Sequence, residues 1–194
     1  ESLHQAGQYD AANQAWPHLN DPDRSIRYAA RIALEHRHRD EWKKKALAEN
    51  ETEASLQALL ALARSYQRKD KGAGELIDSP PPTYDGDAKD GEFAAGRREL
   101  LAALDKHNWK DLSAEQRMTL LRTYVVTFCR TGPPTAEQRK NLIEKFDPLL
   151  PAESYEINNE LAQLLVYLQA PYATPKIVDL LLAFERVAQK TPNV

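Results

Sequence analysis

The sequence predicts an all-α chain of about four helical hairpins followed by a terminal helix. Three observations carry the prediction. Apolar residues recur at helical spacing through most of the 194 residues. Capping residues and prolines fall where those stretches should begin and end. Alternating apolar and polar residues, the mark of a half-buried strand, are almost absent. At 42% hydrophobic the chain can bury a real core, and residues 1–194 read as a single domain.

The elements follow in order. Tyr9 to about Trp16 reads as a short first helix, ended by Pro17 and a turn around Asn20. In the next stretch Asp21 is expected to cap a helix, with Pro22 at its first position and Asp23 placing negative charge in its first turn. Ile26, Ala29, Ala30, Ala33 and Leu34 form its apolar face, and the alanines allow a neighbouring helix to approach closely. Asp40 to Glu49 forms a third helix, with Trp42, Ala46 and Leu47 on its apolar side. Thr52 is expected to cap the fourth, where Leu56, Leu59, Leu60, Leu62 and Ala63 make a wide buried face.

The pattern then breaks. Residues 67–91 hold Gly72, Gly74, Pro80, Pro81, Pro82 and Gly86, and read as a long, flexible insertion loop. Helical spacing resumes with Leu100, Leu101 and Leu104. Ser113 to Gln116 is a capping box, opening a helix through Leu120, Leu121, Tyr124, Val125 and Phe128 that Gly132-Pro133-Pro134 stops. Thr135 to Gln138 is a second capping box, leading into Leu142, Ile143 and Phe146. Pro148 and Pro151 bracket the next turn, and Ser154 caps a helix carrying Ile157, Leu161, Leu164, Leu165 and Leu168. Thr174-Pro175 is expected to start the last helix as a cap followed by proline. Its apolar residues, from Ile177 and Val178 through Leu180, Leu181, Leu182, Phe184 and Val187, spread over more circumference than one contact needs. That helix is therefore expected to be half of an unfinished hairpin, its spare side covered by a further helix or domain of the parent, or buried in a homodimer.

The stretch from Asp21 to Leu34 resembles the inner helix of a HEAT repeat, in which a turn Asp and an Arg six residues later pair with their equivalents in adjacent repeats. Asp21 and Arg27 have that spacing. The resemblance implies an α-solenoid of about four HEAT-like hairpins. Together with Gly132-Pro133-Pro134, Asn158 to Leu161 and Leu164 to Leu168, the block is similar to a HEAT-like segment of large multidomain bacterial proteins that also carry a β-propeller dehydrogenase-like module and a haem c domain. The likeness extends over the chain outside the 67–91 loop, and it implies a periplasmic or exported location. The Cys-x-x-Cys-His motif of haem attachment is absent, so no haem role passes to any residue. The chain starts at Glu1 without a methionine or a signal-like segment, and reads as a piece of a larger protein.

Charge and composition narrow the function. With 26 basic and 29 acidic side chains, the net charge of −3 gives no general attraction to nucleic acid or anionic membrane. No apolar run approaches the roughly 20 residues of a bilayer-spanning helix. One cysteine excludes an internal disulfide framework.

The candidate chemistry is sparse. His36 and His38 are two apart, whereas helical metal ligands need a spacing of three or four. Asp85 to Glu92 departs from a calcium loop at the fifth, sixth and twelfth positions, occupied by Lys89, Asp90 and Gly96. Cys129, among Val126, Thr127 and Phe128, reads as a small buried hydrophobe. No phosphate loop or serine triad signature occurs. Lys43-Lys44-Lys45 and the group Arg64, Arg68, Lys69 and Lys71, with Trp16, Trp42 and Trp109, admit a nucleic-acid reading of the DNA-glycosylase kind, which the net charge disfavours.

The expected function is a non-enzymatic helical scaffold that contacts another protein or a neighbouring domain, with no cofactor, no metal and no membrane insertion. Arg27, Arg31 and Glu35 on one inner helix, and Asn158 and Glu160 at the start of another, are the candidate contacts. Arg27 also has the structural alternative of pairing with Asp21. An enzyme with its site at the 67–91 loop is the reading from another class.

Overall fold

The computed structural model describes residues 11–66 and 91–190, with the side chains of Ala11 and of residues 183–190 outside the description. Among the described residues the protein is all-α: nine α-helices, short 3₁₀ turns and no strand. The chain divides into two compact units, residues 1–134 and 135–194.

The first unit contains α1 (Ala11–Ala15), α2 (Arg24–Glu35), α3 (Lys43–Ala48), α4 (Thr52–Ser65), α5 (Gly91–Leu104) and α6 (Ala114–Thr131). Consecutive helices pack in pairs, α1 on α2, α3 on α4 and α5 on α6. The second helix of each pair also packs on the next, α2 on α4 and α4 on α6, while α3 meets α5. The central helix is α4, in which every residue from Ala54 to Ala63 is buried.

Helix boundaries in this unit correct several sequence expectations. The first α-helix ends at Ala15, ahead of Pro17 as expected, and the chain tightens into a 3₁₀ turn over Trp16–Asn20, with Pro17 in the first turn, where a missing N–H costs nothing. Asp21 is not the cap of α2. Its Oδ1 accepts the Asp23 N–H at 2.8 Å, and Asp23 in turn caps the helix by accepting the Ser25 N–H at 2.7 Å. Two short acidic side chains thus make successive local turns, and Pro22 lies between them, outside the helix. Ala30, Ala33 and Leu34 are buried, but Ile26 in the first turn of α2 stays 42% exposed.

Two further corrections follow. The expected helix over Asp40–Glu49 is broken at Trp42, whose φ of −131° separates a 3₁₀ turn at Arg39–Glu41 from α3. The cap of α4 is Glu51, one residue before Thr52, with its carboxylate accepting from the Glu53 and Ala54 N–H groups. Of the irregular stretch at 67–91, residues 67–90 lie outside the described residues, and Gly91 already opens α5. Gly96 of α5 is required by packing: a Cβ there would lie 2.2 Å from the hydroxyl of the buried Tyr66.

The capping box at Ser113 forms at the start of α6 as expected, and Gly132 ends the helix at φ +92°, a conformation that favours glycine. Buried Arg97 donates from Nη1 to the Thr131 carbonyl at 2.6 Å, giving one of the last carbonyls of α6 a cationic partner. Thr119, Thr123, Thr127 and Thr131 each donate their hydroxyl to the carbonyl four residues back, so the three buried ones carry no unsatisfied donor into the core.

The second unit contains α7 (Ala136–Phe146), α8 (Tyr155–Tyr167) and α9 (Ala173–Lys190), with α8 packed on both others. The Thr135 capping box and the Ser154 cap form as expected. Leu142, Phe146, Ile157, Leu161, Leu164 and Leu165 supply the core. α9 begins at Ala173, so Thr174 and Pro175 lie inside its first turn and Thr174 is not the cap. Val178, Leu181 and Leu182 on α9 are exposed.

Candidate functional site

The face carrying the predicted contacts is built by α2, α4 and α6 of the first unit. Arg27 is buried beneath it and reaches three elements. Its Nη1 donates to the Asp21 carbonyl at 2.8 Å and to the Pro22 carbonyl at 3.1 Å. Its Nε lies 3.2 Å from Glu53 Oε1 on α4, and its Nη2 donates to Glu115 Oε1 on α6 at 2.5 Å. The Asp21–Arg27 pair is therefore made through the Asp21 backbone, and the cross-hairpin partners of Arg27 are glutamates. Its roles are those of a brace: removing it would strand the largely buried Glu53 carboxylate.

A polar ladder continues from there. Gln57 donates to Glu53 at 3.0 Å, and its own oxygen accepts from Arg31 Nη1 at 3.4 Å. Arg31 Nε stands 3.4 Å from Glu35 Oε1, and Arg64 Nε donates to Glu35 Oε2 at 2.9 Å. Arg31, with 15% side-chain exposure, is held less tightly than Arg27. Its Nη1 makes one long hydrogen bond where Arg27 makes three, and its Nε, like that of Arg27, is buried and approaches a glutamate as an ion pair without a hydrogen bond. Its guanidinium also stands 5.0 Å from the centre of the exposed Tyr28 ring. Burial lowers the pKa of Arg31; Glu35 partly offsets this, while the nearby Arg64 and Arg122 charges add to the lowering.

Above the ladder lies an open groove of about 530 Å³, lined by Arg24, Arg27 and Arg31 of α2, by Gln57 and Leu60 of α4, and by Glu115, Met118 and Arg122 of α6, with Tyr28 on its wall. Sequence reasoning singled out Arg27, Arg31 and Glu35 but missed Glu53, Gln57, Glu115 and Arg122. Their spacing carried a signal: Glu53 and Gln57 are four apart on α4, and Glu115, Thr119 and Arg122 follow the same helical stripe on α6.

Asn158 and Glu160 belong to the second unit. Asn158 is buried and spends its amide on one residue, donating to the Ala152 carbonyl at 3.0 Å and accepting the Ala152 N–H at 2.6 Å. It fastens the turn before α8. Glu160 is partly exposed on the same helix.

The other candidates are placed as follows. Cys129 is exposed, correcting the expectation of burial. The buried stripe of α6 runs through Leu120, Tyr124, Thr127, Phe128 and Thr131, and Cys129 falls well off it, nearer the Arg122 side. Among the described residues, no group of three or more His, Cys, Asp or Glu side chains converges to hold a metal ion. No described helix is long and apolar enough to cross a membrane. Trp16 and Trp42 are buried, the first donating to Glu49 Oε2 at 2.7 Å, a bond that lowers the Glu49 pKa. Lys43 is paired with Glu99, whose hydrogen bond raises its pKa. Arg68, Lys69, Lys71 and Asp85 to Asp90 lie outside the described residues.

A serine–histidine pair emerges that the sequence did not advertise. Ser55 Oγ and His107 Nε2 are 3.1 Å apart across 52 residues. Ser55 is only 3% exposed within α4, so the pair fastens α4 to the turn after α5 and offers no accessible hydroxyl for attack. No family model, curated protein or solved structure matches this chain.

Proposed function

We propose that the chain is a non-enzymatic helical-repeat scaffold, HEAT-like in its hairpin arrangement, that binds another protein or a neighbouring domain through the α2–α4–α6 face. The observation that carries this reading is the side-by-side packing of three second helices, which turns separate helical surfaces into one groove with Arg31, Tyr28 and Arg122 on it. The placement of the polar ladder supports it too, because Arg27 and Glu53 join adjacent hairpins and hold the groove in shape. Membership of a multidomain bacterial redox protein is supported by the sequence resemblance alone.

The test is capture of a partner on the immobilised protein, followed by a titration with both components purified. Tyr28→Glu, on an exposed position, should weaken the complex about tenfold or more while leaving the helical circular dichroism spectrum and melting curve unchanged. The reading fails if no partner is retained, or if the Tyr28→Glu protein binds as tightly as the parent.

A further inference from the structure

We infer that the cleft between α1 and α3 binds one neutral polyhydroxylated molecule of monosaccharide size, with the Arg37–Glu41 and Lys45–Asn13 pairs as its hydrogen-bonding walls and Trp16 and Trp42 as its floor. The cleft lies within the first unit and shares no lining residue with the α2–α4–α6 groove, so the inference does not depend on the scaffold reading.

The cleft holds about 300 Å³, at the small end of the roughly 300–1,000 Å³ of typical ligand clefts, and suits a single ring better than a chain. Its polar groups come in couples. Glu41 Oε2 accepts from Arg37 Nε at 3.2 Å and stands 3.1 Å from Arg37 Nη2, while Lys45 Nζ donates to Asn13 Oδ1 at 3.1 Å. Each couple sets a donor beside an acceptor, and solvent reaches both partners of the ion pair, Arg37 being 23% and Glu41 46% exposed. A hydroxyl both donates and accepts, so one hydroxyl bridges such a couple without breaking it. An ion does not. A carboxylate brought to Arg37 meets Glu41, and an ammonium brought to Glu41 stands between Arg37 and Lys45.

The floor adds an apolar surface and an orphan donor. Lys45 rests its ammonium 4.4 Å from the centre of the Trp16 ring. That side chain is exposed and has a flexible four-carbon stem, so its displacement uncovers an indole face for the C–H groups of a sugar ring. The two indole N–H groups differ. Trp16 Nε1 is spent on Glu49, whereas the buried Trp42 Nε1 has no hydrogen-bond acceptor among the described residues. An indole nitrogen is a donor only, and a buried donor without an acceptor is uncommon in native proteins. A ligand hydroxyl at the floor, once Lys45 has moved aside, supplies the missing acceptor.

The experiment titrates the ¹⁵N-labelled full chain with D-glucose, D-galactose and D-mannose in turn, and follows the indole N–H resonances of its three tryptophans. Trp16→Phe and Trp109→Phe proteins assign the signals. At least one sugar should shift the Trp42 signal saturably and leave that of Trp109, which lies outside the cleft, in place. Glu41→Ala and Asn13→Ala, both at exposed positions, should each weaken that sugar about tenfold or more. Lys44→Ala, on α3 but outside the cleft, should bind it as the parent does. Thermal melts establish which variants fold, and either cleft variant alone suffices for the comparison. The inference is overturned if no sugar gives a saturable shift at Trp42, if the shift appears at Trp109 instead, or if the folded cleft variants bind as the parent does. It is overturned too if acetate or glycine betaine, the anionic and zwitterionic probes, binds more tightly than every sugar.

Discussion

The helices α4 and α9 carry nearly the same kind of sequence and meet opposite fates. Each spreads apolar residues over most of its circumference: Leu56, Leu59, Leu60 and Leu62 on α4, and Ile177, Val178, Leu180, Leu181 and Leu182 on α9. In α4 all four leucines are buried, because α2, α3, α5 and α6 pack around it. In α9, which packs on α8, Ile177 and Leu180 are half-buried while Val178, Leu181 and Leu182 remain in solvent. Apolar breadth on a helix therefore states how many neighbours it could accept. The number it receives is decided elsewhere in the chain.

The comparison predicts unequal costs for equal deletions. Leu59→Ala removes a fully buried side chain from the centre of the first unit, and should destabilise it by about 2–5 kcal/mol in urea unfolding. A cost below 1 kcal/mol would show that α4 is not the keystone its burial indicates. A crowding change tests the same region from the other direction. Gly96→Ala would press a methyl group against the ring of Tyr66, which is fully buried and cannot swing aside cheaply. It should cost about 1–3 kcal/mol in unfolding, despite alanine being the better helix former. A stabilised Gly96→Ala protein would mean that Tyr66 has room that the packing denies it.

The smallest effect is expected on α9. Leu181→Ala deletes the same atoms as Leu59→Ala, from a side chain 59% exposed, and should shift stability by no more than about 0.5 kcal/mol. A loss comparable to that of Leu59→Ala would show that this face is covered in solution, and an accompanying fall in mass by light scattering would identify the cover as a second copy.

Part of the molecule was legible locally. The capping boxes at Ser113 and Thr135, the Ser154 cap and the glycine stop at Gly132 form as their residues predict, because each is closed within three or four residues. The same local chemistry misled by a residue or two where acidic side chains crowd together. At α2 the competent caps are Asp21 and Asp23, at α4 they are Glu51 and Thr52, and the choice within each pair depends on where the preceding turn closes. For the candidate groove, the helical stripe that holds Arg27, Arg31 and Glu35 was visible, while their partners were not.

What the sequence determined by itself was the all-α character, the punctuation between helices and the polar stripe on α2. Each depends on hydrogen bonds and periodicities within one or two turns. Only tertiary structure decided that Arg27 meets Glu115 across 88 residues, that Ser55 meets His107, that α4 is enclosed while Val178, Leu181 and Leu182 of α9 stay in solvent, and that Cys129 faces outward. Such pairings depend on which helix returns beside which. A residue's chemistry states what it can bind, but the path of the chain decides what comes within reach.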